Sequence, residues 1–429
     1  MKQFQKTKSF AEVLDNEDPL RLFRQEFCLP GIEIVKPKTY FLGNSLGLQP
    51  KVTQHYIQGV LDQWASNGVE SFFNGETPWI HQHAFLVDQM SILAGAQSHE
   101  ISIMNQLTVN IHLMLGSFYK PYGKRKKILI ESKAFPSDYY ALSSFISFLG
   151  EDPASILIEV ESLDQQMIVH DEDVINAIKD NGEEIALVFI GGVNYYTGHV
   201  FDMKRIASAA KQVGALVGFD LAHAIGNVSL QLHDWDVDFA CWCSYKYLNA
   251  GPGAVGGIYI HERYHTDDSI KRLAGWWGYK KEDRFQMHQS FEPEGDATGW
   301  QLSTPSLILY ACLEASLSIF KKAGWERVVE KQKAMREWLR FLLADILVSE
   351  AGSMFICITP EGAGCQMSLL FSHSGKEVFD ELIQAGYMLD WREPNVIRLA
   401  PVPLYNTFTE IWDFCETLKV VLSRHYVKP

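Results

Sequence analysis

The residues with the most chemical potential stand just after apolar, strand-like runs. Ala215–Phe219 is followed by Asp220-Leu221-Ala222-His223, and Phe239–Cys243 by Ser244-Tyr245-Lys246-Tyr247-Leu248-Asn249. A carboxylate at a strand end, with an imidazole three residues on, suits a flat heteroaromatic ring. The acid can hold a ring nitrogen protonated, and the imidazole can stack or hydrogen-bond. The same Asp also reads as the N-cap of a following helix. Lys246 lies between two tyrosines after an apolar run, and lysine is seldom buried unless paired. A desolvated amine there is a candidate Schiff-base nucleophile, although alone it could equally snorkel to the surface. Taken together, an Asp for a pyridinium nitrogen and a Lys for an imine are the two fixed requirements of pyridoxal 5'-phosphate.

That cofactor needs a phosphate site at a helix start. Gln106-Leu107-Thr108-Val109-Asn110 offers a hydroxyl and backbone N–H groups, with Thr108 as a plain N-cap the other reading. Phe135-Pro136-Ser137-Asp138 offers an aromatic face and two polar side chains, or simply a turn. A substrate carboxylate wants a guanidinium fork. Arg398, in the apolar stretch 395–401, is the candidate, and a structural ion pair is the alternative. His81 and His83 lack a third ligand at a sensible spacing, so no metal is expected. Cys241 and Cys243 share one strand face and read as core. Trp276-Trp277 reads as a hydrophobic corner or a ring wall near a site. Gly191-Gly192 is no dinucleotide fingerprint, because no third glycine opens a helix.

The elements that must position these residues follow from pattern. The runs Lys127–Glu131, Ser155–Val160, Ile185–Ile190, Ala215–Phe219, Phe239–Cys243 and Gly256–Ile260 alternate with helical stretches such as Asp171–Lys179 and Met203–Val213. Near-continuous apolar strands of this kind predict an α/β fold, a mostly parallel sheet covered by helices. Amphipathic helices are expected over 54–65 and 83–94, and one opening at Asn105. After Ser306 the pattern is helical through Ala344, then α+β, with strands at Met354–Ile358 and Gln366–Leu370 and a helix at Gly375–Ala385. We therefore expect an N-terminal segment 1–50 joining the small domain, a cofactor-binding α/β domain over 51–310, and a C-terminal α+β domain over 311–429. The chain has 429 residues, more than one core usually serves. A net charge of −14 argues against nucleic-acid or anionic-membrane binding. Seven scattered cysteines and no signal peptide or membrane span predict a cytoplasmic protein.

The set of motifs resembles the kynureninase family, in the class V branch of fold type I pyridoxal-phosphate enzymes. The matching stretches are Phe41-Leu42-Gly43-Asn44-Ser45-Leu46-Gly47, Asn105–His112, Ala134–Asp138, Tyr195-Tyr196-Thr197-Gly198, Gly218–Val228, His233–Gly251, Gly275–Gly278 and Arg398–Asn406. They run through the chain in family order. The resemblance implies a large sheet domain with a smaller C-terminal domain, and hydrolysis of L-kynurenine or 3-hydroxy-L-kynurenine to L-alanine and an anthranilate, in tryptophan degradation and NAD precursor biosynthesis. It implies that Lys246 carries the cofactor, Asp220 pairs with its ring nitrogen and His223 lies beside it. Leu107 and Thr108 would contact the phosphate, helped by Tyr245 and Trp276 from opposite subunits of a homodimer. Phe135, with Pro136, Ser137 and Asp138, would line the ring, and Thr304 would also reach the cofactor. Arg398 would take the substrate carboxylate, with Phe72 and Ser303 near its aromatic end. Tyr245 is the candidate proton donor.

Three positions depart from the family pattern: Gly191 stands where Ser or Thr is common, Thr304 where animal enzymes have Asn, and Phe72 where they have His. The rival activities are a cysteine desulfurase, for which Cys365 would be the nucleophile, and a cofactor-binding regulator.

Overall fold

The computed structural model describes residues 4–31, 38–162 and 168–426. Its centre is a seven-stranded sheet in the order Ile101–Ile103, Gly257–Ile260, Phe239–Trp242, Leu216–Asp220, Ile185–Gly191, Lys127–Glu131, Leu157–Val160. The last five are mutually parallel, and Gly257–Ile260 runs antiparallel to both of its neighbours. Ile185–Gly191 is buried along nearly its whole length, as a strand covered on both faces must be. Gly218 is required by close packing: a Cβ there would lie 2.1 Å from the Phe239 ring, which itself stacks at 4.8 Å on Phe118.

The parallel strands deliver Glu131, Gly191 and Asp220 to one edge of the sheet. Gly191 is in register with Asp220, and Asp220 with Cys241. Ligands of open α/β sheets bind beyond such carboxyl ends.

Several boundaries differ from the expected ones for local reasons. The strand expected from Ser155 starts at Leu157, because Asp152 caps a short helical turn, Pro153–Ile156, with Pro in its first position. The helix expected from Asn105 starts at Leu107, after Asn105 takes a left-handed backbone. Gly324, at φ 79°, divides the helical stretch after Ser306 into Leu307–Ala323 and Trp325–Leu347.

A second hydrophobic cluster, with Trp338, Leu342, Phe371, Leu399 and Phe414, lies under a four-stranded antiparallel sheet. That sheet runs Asp390–Arg392, Val396–Leu399, Met367–Phe371, Phe355–Cys357. The N-terminal segment joins this cluster through Ala11 and Phe41, and Thr39–Tyr40 pairs in parallel with Tyr387–Met388. Among the described residues no helix is long and apolar enough to cross a membrane.

Candidate active site

Two helices open onto one cavity at the carboxyl edge of the sheet. Neither Leu107–Phe118 nor Pro136–Phe148 has a side-chain cap at its start. The first offers the Leu107 and Thr108 amides to an outside acceptor, and the second, where Pro136 has no N–H and Asp138 N–H donates to the Phe135 carbonyl, offers that of Ser137. Thr108 Oγ1 and Ser137 Oγ, one from each helix, are 2.7 Å apart. Two uncapped N-termini and two hydroxyls make an anion cradle.

The cavity, about 140 Å³, is lined further by Phe135, Asp138, Asp220, His223, Tyr245 and Lys246. Lys246 Nζ lies 2.9 Å from His223 Nε2 and within 6 Å of the Phe135 and Tyr245 ring centres, at 5.8 and 5.9 Å. The lysine is held by its turn. Asn249 N–H donates to the Lys246 carbonyl and Ala250 N–H to that of Ser244. Gly47 then packs so closely that a Cβ would sit 2.3 Å from the Lys246 carbonyl oxygen.

The acids divide their protons by position. Asp220 Oδ1 accepts from Ala222 N–H at 2.7 Å. Burial raises its pKa, while the Lys246 charge and the hydrogen bond from Asp138 pull it back down. Asp138 is pushed well above the carboxylate range by burial, and then by the Asp220 charge and hydrogen bond. A proton shared by this pair therefore sits on Asp138. His223 is driven well below its usual value by burial and by Lys246, Arg398 and Arg392, so its imidazole is neutral. As Nε2 faces the lysine amine, Nδ1 is left buried without a partner, and so is Asp138 Oδ1. Orphaned polar atoms beside an uncapped anion cradle and a buried lysine fit a planar, phosphorylated, Schiff-base cofactor.

Other predicted residues lie apart from this cavity. Arg398 is buried, forms an ion pair with Asp390, and donates from Nη1 to the Tyr195 carbonyl. Its charge reaches His223, but it does not line the cavity. Phe72 packs 5.1 Å from Trp79 and 6.3 Å from Trp277. Trp276 packs 5.6 Å from Phe285 and donates from Nε1 to the Arg284 carbonyl. Ser303 and Thr304 are exposed. Cys365 is buried, its thiol pushed up by burial, and it is absent from the cavity wall. That is a poor setting for a nucleophilic thiolate. His83, one of the paired histidines, accepts from Ile103 N–H at 3.0 Å and is held near pKa 4 by burial.

Two residues of this region were not singled out from sequence, Glu131 and Asn194, and Tyr195 was named only within a matching stretch, with no role. Glu131 ends a strand just as Asp220 does, so the rule that located Asp220 was available for it.

A family model described as aminotransferase class V matches residues 40–353, and one described as kynureninase C-terminal domain matches residues 328–418. The chain is 45% identical to a kynureninase of Flavobacterium psychrophilum, over 97% of this chain and 98% of that one. It is 44% identical to a kynureninase of Myxococcus xanthus, over 97% of each. Among solved structures it is similar to the cystine C–S lyase C-DES in complex with cysteine persulfide. The TM-score is 0.74 at 18% identity, covering 91% of this chain and 99% of that chain. It is also similar to a cysteine desulfurase of Thermococcus onnurineus NA1, at a TM-score of 0.72 and 14% identity over 99% and 100%. At such identities the structural likeness speaks for the fold alone.

Proposed function

Because the chain belongs to the kynureninase family, we propose that it hydrolyses the Cβ–Cγ bond of L-kynurenine or 3-hydroxy-L-kynurenine, releasing L-alanine and anthranilate or 3-hydroxyanthranilate. The observation that carries this reading is the 44–46% identity to kynureninases over nearly the full chain. The buried Lys246, opposite Asp220 and between two rings, supplies the chemistry the reading needs.

Pyridoxal 5'-phosphate, when bound, supplies an electron sink attached to the substrate's amino group. Lys246 would hold the cofactor through its amine, and that amine, free of the bond, would be the base for the proton on Cα. Asp220 would keep the ring nitrogen protonated, with Asp138 holding the neighbouring proton so that Asp220 carries the charge. The uncapped amides at Leu107 and Thr108, with the Thr108 and Ser137 hydroxyls, would bind the phosphate. Phe135 would offer its face to the ring, and His223 stays neutral beside the amine. Arg398 and Arg392 give the opposite side a positive field that suits the α-carboxylate, which Arg398 binds. Tyr245, its phenol held protonated by burial, gives a proton to the carbon released by cleavage.

The enzyme is read as a cytoplasmic homodimer in which Trp276, Thr304, Phe72 and Ser303 act at the partner's site. What supports this is that none of the four lines the cavity of its own chain, together with the exposed apolar surface of Trp276, Phe73 and Phe285. The test is direct: the loaded protein is given each substrate and anthranilate fluorescence is followed. Release of neither anthranilate would overturn the reading.

A further inference from the structure

The cavity communicates with the C-terminal sheet through one short turn, residues 194–198. Three successive carbonyls of that turn accept hydrogen bonds from the C-terminal part of the chain. The Tyr195 carbonyl accepts from Arg398 Nη1 and from Gln366 Nε2, the latter at 2.8 Å. The Tyr196 carbonyl accepts from Ser368 Oγ at 2.7 Å, and the Thr197 carbonyl from Thr359 Oγ1 at 2.6 Å. The turn is closed by Gly198 N–H donating to the Asn194 carbonyl at 2.9 Å and Asn194 N–H to the His199 carbonyl at 2.8 Å, and one side chain braces its inside. Asn194 Oδ1 accepts from Tyr196 N–H at 3.0 Å, from Thr197 N–H at 2.9 Å and from Thr197 Oγ1 at 3.0 Å. Its amide nitrogen then donates at 2.8 Å to Glu131 Oε2. Glu131 is 3% exposed and lines the cavity.

With three donors on its oxygen and a carboxyl on its nitrogen, Asn194 has no alternative orientation. We propose that Glu131 and Asn194 are positioning residues: they lock the 194–198 turn as a joint that fixes Arg398 relative to the cofactor cavity. The pair touches no reacting atom in this scheme. It acts by holding the carbonyl on which the Arg398 guanidinium rests, while Asp390 holds the same guanidinium from the other side. Loss of the Asn194 side chain leaves only the backbone bonds that close the turn and frees its inside, where the Tyr196 and Thr197 amides and the Thr197 hydroxyl were held. The inference rests on the reading of Arg398 as the carboxylate-binding residue, and the experiment separates the two.

The readout is binding of L-alanine to the loaded enzyme, followed by the change in the cofactor's absorption, beside cofactor affinity and thermal unfolding. Asn194→Ala should raise the L-alanine Kd about tenfold, the size of a coupling between groups in one network, and leave cofactor affinity within about twofold. Glu131→Leu, which removes the acceptor, should behave likewise in L-alanine binding, while Glu131→Gln, which keeps an oxygen for Asn194, should stay within about twofold of wild type. In an Arg398→Leu background, Asn194→Ala should add no further loss. Independent, multiplying losses from Asn194→Ala and Arg398→Leu would overturn the joint, as would a folded Asn194→Ala that binds L-alanine like wild type. An Arg398→Leu enzyme with unchanged L-alanine Kd would instead overturn the carboxylate reading beneath it. Should Asn194→Ala not fold, the Glu131→Leu and Glu131→Gln pair carries the same test, and equal Kd values for the two would overturn the joint.

Discussion

Replacing Glu131 by Gln isolates the cost of keeping a carboxyl in the wall of the cavity. Burial is the main cause that raises its pKa to about 7 from 4.5, opposed by the bonds from Asn194 and the Gly191 amide and reinforced by the Asp220 charge. The groups facing it across the cavity are Asp138 and Asp220, with Lys246 the opposing cation. The native state of the cofactor-free protein therefore binds a proton that the unfolded chain has released between pH 4.5 and about 7. Native stability falls as pH rises through that window and is level above it. A shift of this size corresponds to about 3 kcal/mol. Spread over the unfolding entropy of a chain this long, that is a change of about 3 °C in Tm. Glutamine keeps the acceptor for Asn194 but never ionises. Thermal scans of both cofactor-free proteins should coincide near pH 4.5 and diverge with rising pH, the variant becoming about 3 °C the more stable by pH 8. A difference that is constant across pH, or that favours wild type at pH 8, would refute the account of Glu131 as a buried, reluctantly ionised acid.

Further outcomes follow from the same site. Lys246→Ala should abolish the borohydride-trapped adduct between protein and cofactor, and an adduct mapped to any other lysine would remove Lys246 from its role. Asp220→Asn keeps an oxygen for Ala222 N–H and should fold normally. Its turnover should fall about a thousandfold, since a charge pair at ~4 Å is worth about 4 kcal/mol in a partly buried setting, and turnover within tenfold of wild type would mean another acid protonates the ring. Phe72 offers no hydrogen bond and Thr304 only a small hydroxyl, so wild type should accept kynurenine well without selecting the 3-hydroxylated form by more than the ~1–3 kcal/mol of an apolar pocket. The Phe72→His, Thr304→Asn double variant should move kcat/KM toward the hydroxylated substrate, and a wild type already preferring it several hundredfold would sink this reading.

The parallel sheet was legible because its strands are buried on both faces and so appear as unbroken apolar runs. Lys127–Glu131 was expected at the residues where it lies, and Ile185–Ile190 extends by only one residue, to Gly191. Two of the strands that escaped notice carry no such signal. Ile101–Ile103 is three residues long, and Asp390–Arg392 is two-thirds charged and half-buried. Their pairing is decided by partners far along the chain, which no local pattern encodes. The last helix, Phe408–His425, was legible in principle. Thr407 accepts from Glu410 N–H and Glu410 from Thr407 N–H, a capping box just ahead of an apolar stretch.

In the site, the residues found from sequence are those whose chemistry is unusual at a strand end: a carboxylate at Asp220 and an amine at Lys246. Glu131 occupies an equivalent end and was passed over because a lone Glu after an apolar strand looks like the start of a solvated loop. What makes it notable is invisible locally: Asn194, sixty-three residues away, turns an amide toward it, and Asp220 arrives in register with Gly191 beside it. Gly191 shows the same limit from the other direction. From sequence it was a missing hydroxyl, whereas in the structure a Cβ there would lie 3.1 Å from Glu131 Oε1. The absent side chain leaves the buried carboxyl its room. A substitution at Gly191 therefore acts on Glu131 before it acts on any ligand, and through Glu131 on the turn that seats Arg398.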